Sequence, residues 1–208
     1  MTYNVTRAGF IAVVGAPNVG KSTLINLLVG TKVSIVSPKV QTTRTRVLGI
    51  CMNGAVQVIF IDTPGIFQPR RRLDRAMVAA AWVGAGDADH ILLLVDAARG
   101  IDDNTQEIID KLKKSGRKAV LAINKVDAVN KPDLLVLTAA LQDPDLFMET
   151  FMISARSGDG VDDLLAYLSG LLPIGPWLFP EDQVSDMPER LLAAEITREK
   201  LYLELHQE

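Results

Sequence analysis

The sequence is almost free of cysteine: Cys51 is the only one among 208 residues, so no disulfide can form within the chain. It has no run close to the ~18 apolar residues of a membrane-spanning helix, and its N-terminus lacks the basic and apolar regions of a secretory signal. With 22 basic and 25 acidic residues, it has no basic excess of the kind that binds nucleic acid by bulk electrostatics. These absences predict a soluble, cytoplasmic protein.

The composition is that of a folded globular protein, with 48% hydrophobic and 23% charged residues. Short apolar runs alternate with amphipathic stretches. The runs are continuous rather than alternating in polarity, which is typical of strands that are covered on both faces. These predicted strands are residues 10–14, 56–61, 91–95, 119–123 and 151–153.

The stretches between the runs have the spacing of apolar residues that amphipathic helices show. The predicted helices are residues 21–29, 104–115, 133–141 and 161–172. Residues 47–52 and 56–60 flank Asn53-Gly54, a strong hairpin signal, so one edge strand should be antiparallel. The sequence thus predicts an α/β fold: a six-stranded, mostly parallel sheet with one antiparallel edge strand and helices on both faces.

A composition change near residue 173 predicts the domain organisation. Residues 1–172 form the first predicted domain, and the proline-rich, aromatic residues 173–187 form a predicted linker. Residues 188–205 have a helical pattern with Leu191, Ala194, Leu201 and Leu205 on one face. Because that face needs a partner, residues 188–208 are interpreted as an isolated first helix of a second domain.

The strongest motif is Gly-Ala-Pro-Asn-Val-Gly-Lys-Ser at residues 15–22, which matches G-x-x-x-x-G-K-S. It follows a predicted strand and opens a predicted helix, where successive backbone N–H groups form an anion-binding nest. Lys21 would neutralise the β- and γ-phosphates, and Ser22 would place its hydroxyl on Mg²⁺. The phosphate-binding residues predicted from this loop are Gly15, Ala16, Pro17, Asn18, Val19, Gly20, Lys21, Ser22 and Thr23.

Two further segments complete the predicted phosphate and metal site. Asp62-Thr63-Pro64-Gly65 ends a buried strand, where Asp62 can reach Mg²⁺ and the Gly65 N–H can sense the γ-phosphate. Thr42 and Thr43 lie in the long segment before the second strand. Thr43 is favoured to complete the Mg²⁺ shell and to close over the γ-phosphate.

Guanine specificity is predicted from two strand-end segments. In Asn124-Lys125-Val126-Asp127, the Asp127 carboxylate can accept hydrogen bonds from guanine N1 and N2, a donor pair that adenine does not offer. Asn124 would tie this loop to the phosphate loop, and the Lys125 stem would lie over the base. In Ser154-Ala155-Arg156, the Ala155 N–H would donate to guanine O6.

The order of these motifs resembles the translation-factor-related GTPases. The residues that carry a closer resemblance, to the bacterial Era-like GTPases, are Asn18, Gln41-Thr42-Thr43-Arg44, Asp62 to Ile66, and Ala194 to Leu201. The resemblance covers residues 7–205. Arg156 stands where lysine is commoner, which should not matter if the backbone makes the contact.

The resemblance implies a GTPase domain followed by a K-homology RNA-binding domain, here truncated before most of that domain. It implies action in small ribosomal subunit assembly through its ribosomal RNA, which would belong to the longer protein. It also implies a monomer, with peripheral association to the inner membrane as an additional possibility.

Catalysis is less defined by the sequence. Ile66 stands where Ras-like proteins have the glutamine that orients the attacking water, and isoleucine cannot form a hydrogen bond. The resemblance implies that Asn18 helps to hold K⁺ against the phosphates. The predicted catalytic residues are therefore Lys21, Thr43, Gly65 and Asn18, with no general base assigned, and packing of Ile66 beneath the loop is equally compatible.

Three functions stay open from the sequence. The first is a slow GTPase that acts as a switch on GTP and GDP. The second is a module that senses guanine nucleotide with negligible hydrolysis, which Ile66 permits. The third is an ATPase on the same scaffold, against which Asp127 argues.

Overall fold

The computed structural model describes residues 5–36, 47–66 and 72–204. Within these ranges the chain forms strands and helices in alternation. The strands are β1 (Arg7–Val14), β2 (Val47–Asn53), β3 (Val56–Asp62), β4 (His90–Asp96), β5 (Ala119–Asn124) and β6 (Phe147–Ile153). The helices are α1 (Lys21–Val29), α2 (Arg72–Asp87), α3 (Asp103–Ser115), α4 (Lys131–Ala140), α5 (Val161–Leu171) and α6 (Glu189–Glu204), with a short 3-10 helix at Val126–Ala128.

The strands form one six-stranded sheet in the order β2-β3-β1-β4-β5-β6. All neighbours pair in parallel except β2 and β3, which form an antiparallel hairpin in which Asn53 pairs with Val56. Gly54 has a φ of 60°, a left-handed conformation that the two-residue turn requires and that glycine adopts without strain. The predicted mixed sheet with its antiparallel edge is confirmed.

Helices cover both faces of the sheet, as predicted. On one face, α1 and α5 bury Leu24, Ile25 and Leu164 against the sheet. On the other face, α2, α3 and α4 bury Ala81, Ile108 and Leu137. Consecutive residues of β1 and β4 alternate between these two apolar layers, which explains their continuous apolar runs. Each fully buried Leu or Ile contributes about 1.5–3 kcal/mol through burial alone.

Most element bounds agree with the sequence-based expectation to within three residues, and two elements differ more. Strand β6 begins at Phe147, four residues before the predicted start at 151. The sequence pattern missed this start because the exposed Glu149 and the half-buried Thr150 interrupt the apolar run of this edge strand. Helix α2, which begins at Arg72, was not among the predicted helices.

Residues 173–187, here called the connector, lie along the edge of the sheet. The Ile50 N–H donates to Val184 O at 2.9 Å, and Ser185 Oγ donates to Leu48 O at 2.8 Å. Closer to its start, Gln57 Oε1 accepts from the backbone N–H groups of Leu178 and Phe179. The connector thus continues the hydrogen bonding of the sheet beyond β2, although its sequence was interpreted as a linker.

Helix α6 contacts the segment that follows α1 through a buried carboxylate. Glu199 is only 3% exposed and accepts a hydrogen bond from the Val36 N–H at 2.9 Å. It also pairs with Lys32, which follows α1. Leu191 and Leu201 of the same helix are exposed. Among the described residues, no helix has both the length and the apolar character that crossing a bilayer requires.

Candidate nucleotide-binding site

The phosphate loop lies between β1 and α1, at the carboxyl edge of the parallel sheet, where ligands bind in open α/β folds. Gly20 has a φ of 102°, and a Cβ there would lie 2.4 Å from Asn124 Nδ2. Asn18 has a φ of 63°, which is uncommon for a residue other than glycine. Left-handed residues of this kind are typical of an anion nest, in which successive N–H groups turn toward one point.

Lys21 is buried at the first position of α1. Its Nζ donates to Gly15 O at 3.1 Å and to Ala16 O at 3.0 Å. Burial lowers the pKa of Lys21 from 10.5 to about 8, and the negative charge of Asp62 opposes that change. The effect of burial is larger than that of the Asp62 carboxylate, so the Lys21 ammonium group has only part of the counter-charge it needs. It is therefore suited to neutralise an incoming phosphate.

The residues predicted to hold Mg²⁺ are partly assembled. Ser22 Oγ donates to Asp62 Oδ2 at 2.8 Å, and Asp62 is fully buried at the end of β3. A hydroxyl and a carboxylate are the hard oxygen donors that Mg²⁺ prefers together with water and phosphate, so these residues fit the ion. Within residues 5–36, 47–66 and 72–204, no group of three or more His, Cys, Asp or Glu side chains could hold a metal ion. Thr42 and Thr43 lie outside the described residues.

The segment after β3 lies directly against the phosphate loop. Thr63 Oγ1 donates to Val13 O at 2.7 Å, and the Ile66 N–H donates to Gly15 O at 3.0 Å. A Cβ on Gly65 would lie 2.9 Å from Pro17 Cα, so only glycine permits this approach. The Ile66 side chain is 1% exposed and packs in the core, which excludes it from orienting water.

Asn124 joins the two halves of the predicted site. Its Nδ2 donates to Val19 O at 2.8 Å, and its Oδ1 accepts from the Ala155 N–H at 2.9 Å. The side chain is 1% exposed, so both bonds are protected from water. The predicted tie between the base loop and the phosphate loop is present. A guanine O6 contact by the Ala155 N–H would have to share or replace the bond to Asn124.

The remaining guanine residues lie around this bridge. Lys125 has a φ of 66°, and its Nζ donates to Asn18 O at 2.8 Å. Asp127 is exposed in the 3-10 helix that follows. Ser154 Oγ accepts from the Ser157 N–H at 3.2 Å, which shapes the turn that carries the exposed Arg156. The structure gathers these segments at one edge, and their contacts with a base stay predictions.

Three residues near the site were not singled out from the sequence. Ser34 Oγ donates to Asp62 Oδ2 at 2.6 Å. Asp96 ends β4 and forms an ion pair with Lys125 at 2.6 Å, and Arg99 Nη1 donates to Pro17 O at 2.8 Å. Only the position of Asp96 at a strand end was a signal that could have identified one of them.

The comparisons with known proteins agree with this arrangement. A family described as 50S ribosome-binding GTPase matches residues 10–125. GTPase Era of Rhizobium meliloti (strain 1021) is 60% identical over 203 residues, which cover 98% of this chain and 65% of that relative. GTPase Era of Dinoroseobacter shibae is 58% identical over 206 residues, which cover 98% of this chain and 67% of the relative. The chain thus spans about two thirds of the length of these curated relatives.

Two solved structures have the same fold. One is Era in complex with MgGDPNP and nucleotides 1506–1542 of 16S ribosomal RNA, with a TM-score of 0.91 and 42% identity. The other is a single-residue variant of Aquifex aeolicus Era bound to GDP·AlF4⁻, with a TM-score of 0.90 and 42% identity. Each match covers 98% of this chain and 69% of the solved chain. The sequence, the sheet and the arrangement of the motifs agree, and this chain belongs to the Era family of P-loop GTPases.

Proposed function

We propose that this chain binds GTP and GDP with Mg²⁺ and hydrolyses GTP slowly, as a molecular switch. The observation that carries the proposal is the Asn124 bridge, which holds the phosphate loop and the guanine loop together through Val19 O and the Ala155 N–H. A single buried amide thereby fixes the distance between the phosphate and base ends of the cleft. The Era structures with MgGDPNP and with GDP·AlF4⁻ support the same ligands here.

Each part of the site has a defined task in this proposal. Lys21 leaves the carbonyls of Gly15 and Ala16 and neutralises the β- and γ-phosphates. Ser22 and Asp62, with Thr43, would hold Mg²⁺, which when bound offsets negative charge on the phosphates. Gly65 senses the γ-phosphate from its position against Pro17. Loss of that phosphate on hydrolysis releases both loops, which is the switching step.

Potassium is the proposed substitute for a water-orienting glutamine. Ile66 is buried in the core and cannot orient the attacking water, so the barrier must be lowered in another way. A K⁺ ion against the phosphates would stabilise the negative charge of the transition state. Single-turnover phosphate release from GTP is expected to be about tenfold or more faster in K⁺ than in Na⁺ buffer. An Asn18→Gly variant, which tolerates the φ of 63°, should bind GDP but lose the stimulation. Equal rates in the two salts would exclude the K⁺ role.

The same measurement separates the second candidate function, nucleotide sensing without hydrolysis. The burial of Ile66 favours that candidate, since no other described side chain has been assigned to the attacking water. If phosphate release is undetectable in both salts while GTP binds, the chain senses nucleotide and does not turn it over. If GTP does not bind at all, the proposed function is wrong in both forms.

We further propose that residues 1–172 are the GTPase domain and that α6 begins a K-homology domain of a longer protein. The exposed Leu191 and Leu201 support this, because they would pack against the rest of that domain. The Era complex with 16S ribosomal RNA supports ribosomal RNA and the small ribosomal subunit as partners of the longer protein. We also propose that the protein acts in the cytoplasm as a monomer, and peripheral membrane association stays a prediction.

The contact of Glu199 with Val36 is the proposed route from the nucleotide to α6. In the sequence, Val36 immediately precedes the segment that contains Thr42 and Thr43. We propose that the exchange of GTP for GDP at those threonines alters the hydrogen bond that the Val36 N–H donates to Glu199. Glu199→Ala should remove this bond and the Lys32 ion pair. We expect deuterium uptake in α6 to become about tenfold faster and equal in the GDP and GTP-analogue states.

The matched control for this prediction is Glu195→Ala, which removes an ion pair with Arg198 inside the same helix. This control should keep the difference in uptake between the two nucleotide states. A Glu199→Ala variant that also keeps the difference would show that the connector, and not Glu199, transmits the change.

A further inference from the structure

The backbone carbonyls of the phosphate loop accept hydrogen bonds from a continuous series of side-chain donors. Five consecutive backbone carbonyls, from Gly15 to Val19, each accept a hydrogen bond from a side chain. Lys21 donates to the first two carbonyls, and Asn124 donates to the last. The two carbonyls between them, Pro17 O and Asn18 O, accept from Arg99 and Lys125.

Asp96 is the residue common to both of these cations. It is 3% exposed at the end of β4, and its Oδ2 lies 2.6 Å from Lys125 Nζ. Its Oδ2 also lies 3.9 Å from Arg99 Nε, a weaker contact because Arg99 is half exposed. One buried carboxylate thus lies beside the two cations that hold the middle of the phosphate loop.

Asp96 also shapes the turn that carries Arg99. Its Oδ1 accepts from the Ala98 N–H at 2.9 Å, and its backbone carbonyl accepts from the N–H groups of Arg99 and Gly100. The Ala97 N–H donates to Asn124 O at 2.8 Å, which joins this turn to the end of β5. The position of Arg99 against Pro17 therefore depends on the same residue that pairs with Lys125.

These contacts matter because of the backbone conformation of the loop. An anion nest presents its N–H groups to the ligand, and its carbonyls then need partners elsewhere. The left-handed conformation of Asn18 is unfavourable by itself and persists only where surrounding contacts enforce it. A cation on each of the two adjoining carbonyls supplies such contacts.

We propose that Asp96 is a positioning residue for nucleotide binding, which keeps Lys125 and Arg99 against the phosphate loop and so slows nucleotide release. The inference rests on the proposed binding of GDP and GTP. Asp96 does not touch the nucleotide in this proposal. It acts through Asn18 O and Pro17 O, which its two neighbours hold.

The test is the dissociation rate of fluorescently labelled GDP from Asp96→Asn. The asparagine can keep the bond from the Ala98 N–H through its oxygen, while its uncharged NH2 group in place of Oδ2 cannot accept from Lys125. We expect release about tenfold faster than from the parent, with an unchanged association rate. Asp110→Asn, which alters an exposed carboxylate on α3, should release GDP at the parental rate.

A second pair of variants distinguishes positioning from a general loss of structure. Lys125→Met should also speed GDP release, and adding Asp96→Asn to it should speed release by a smaller factor than Asp96→Asn does alone, because the Lys125 contact is already lost and only the Arg99 contact can still be weakened. Parental release from Asp96→Asn, or effects of the two changes that multiply fully, would overturn the inference. Failure of the parent to bind labelled GDP would instead contradict the proposed function.

Discussion

Lys21→Met is expected to lose affinity for GDP and GTP by a factor on the order of 10²–10³, because a buried phosphate charge would lose its partner. The parent ammonium is buried at 7% exposure, contacts the loop carbonyls of Gly15 and Ala16 and lies in the field of Asp62. Methionine has a similar length and no charge. Calorimetric titration with GDP in Mg²⁺ buffer measures the loss.

The control is Lys118→Met, which removes an exposed lysine before β5 and should leave GDP affinity at the parental value. Both variants lose one positive charge, so a change in net charge cannot explain a difference between them. If Lys21→Met held GDP as tightly as the parent, residues 15–22 would not be the phosphate site.

The pH dependence of binding gives a second readout of the same residue. Burial lowers the pKa of Lys21 to about 8, and bound phosphate would raise it again, so binding takes up a proton above that pH. GDP affinity should fall roughly fourfold between about pH 7 and 8.5. Lys21→Met should show no such fall. A flat parental profile would contradict the assigned proton uptake.

The contribution of Lys21 to folding stability should depend on pH in the opposite direction from GDP affinity: it should rise as the pH rises. The folded-state pKa of about 8 lies below the ordinary lysine pKa of 10.5, so the unfolded chain binds more protons between these values. The unfavourable contribution of charged Lys21 is therefore fully present below about pH 8. It is relieved as the pH rises toward 10.5, and the difference in stability between parent and Lys21→Met should change accordingly.

Asp127→Asn is expected to weaken GDP binding by about 10²-fold and to improve the binding of xanthosine diphosphate. A carboxylate accepts from guanine N1 and N2, whereas an amide faces the guanine amino group with its own donor. Xanthine has a carbonyl in place of that amino group, which the amide can match. Asp127 is exposed in the 3-10 helix after β5, so the fold should tolerate the change.

Titrations with GDP, xanthosine diphosphate and ADP test this specificity, with the exposed Asp145→Asn as the control. The control should prefer GDP as the parent does. Unchanged GDP affinity in Asp127→Asn would remove this residue from the base site. Equal affinities of the parent for GDP and ADP would favour the ATPase alternative.

Much of the fold was accessible from the sequence because its signals are local. The apolar runs of β1, β4 and β5 and the Asn53-Gly54 turn predicted the sheet and its antiparallel edge. Helix α1 has the predicted bounds, since Gly20 and Gly30 with their left-handed conformations mark its two ends. The start of β6 was missed because an exposed edge strand carries polar residues that break the apolar pattern.

The connector shows where local signals fail. Its prolines and aromatic residues predict a boundary, and the sequence contains no sign that its backbone would pair with β2. That pairing depends on the exposed edge of the sheet, which exists only after the sheet has formed. The same holds for Glu199, whose burial against Val36 joins residues 163 positions apart.

The sequence alone predicts which residues contact phosphate, metal and guanine, because each motif is short and its chemistry depends on neighbours along the chain. Only the tertiary structure decided which contacts hold those residues in place. Asn124 joins Val19 to Ala155, and Asp96, which the sequence did not single out, lies beside Lys125 and Arg99. The physical reason is that a parallel sheet brings distant strand ends to one edge, and the partners there are chosen by position in space, which spacing in the sequence does not encode.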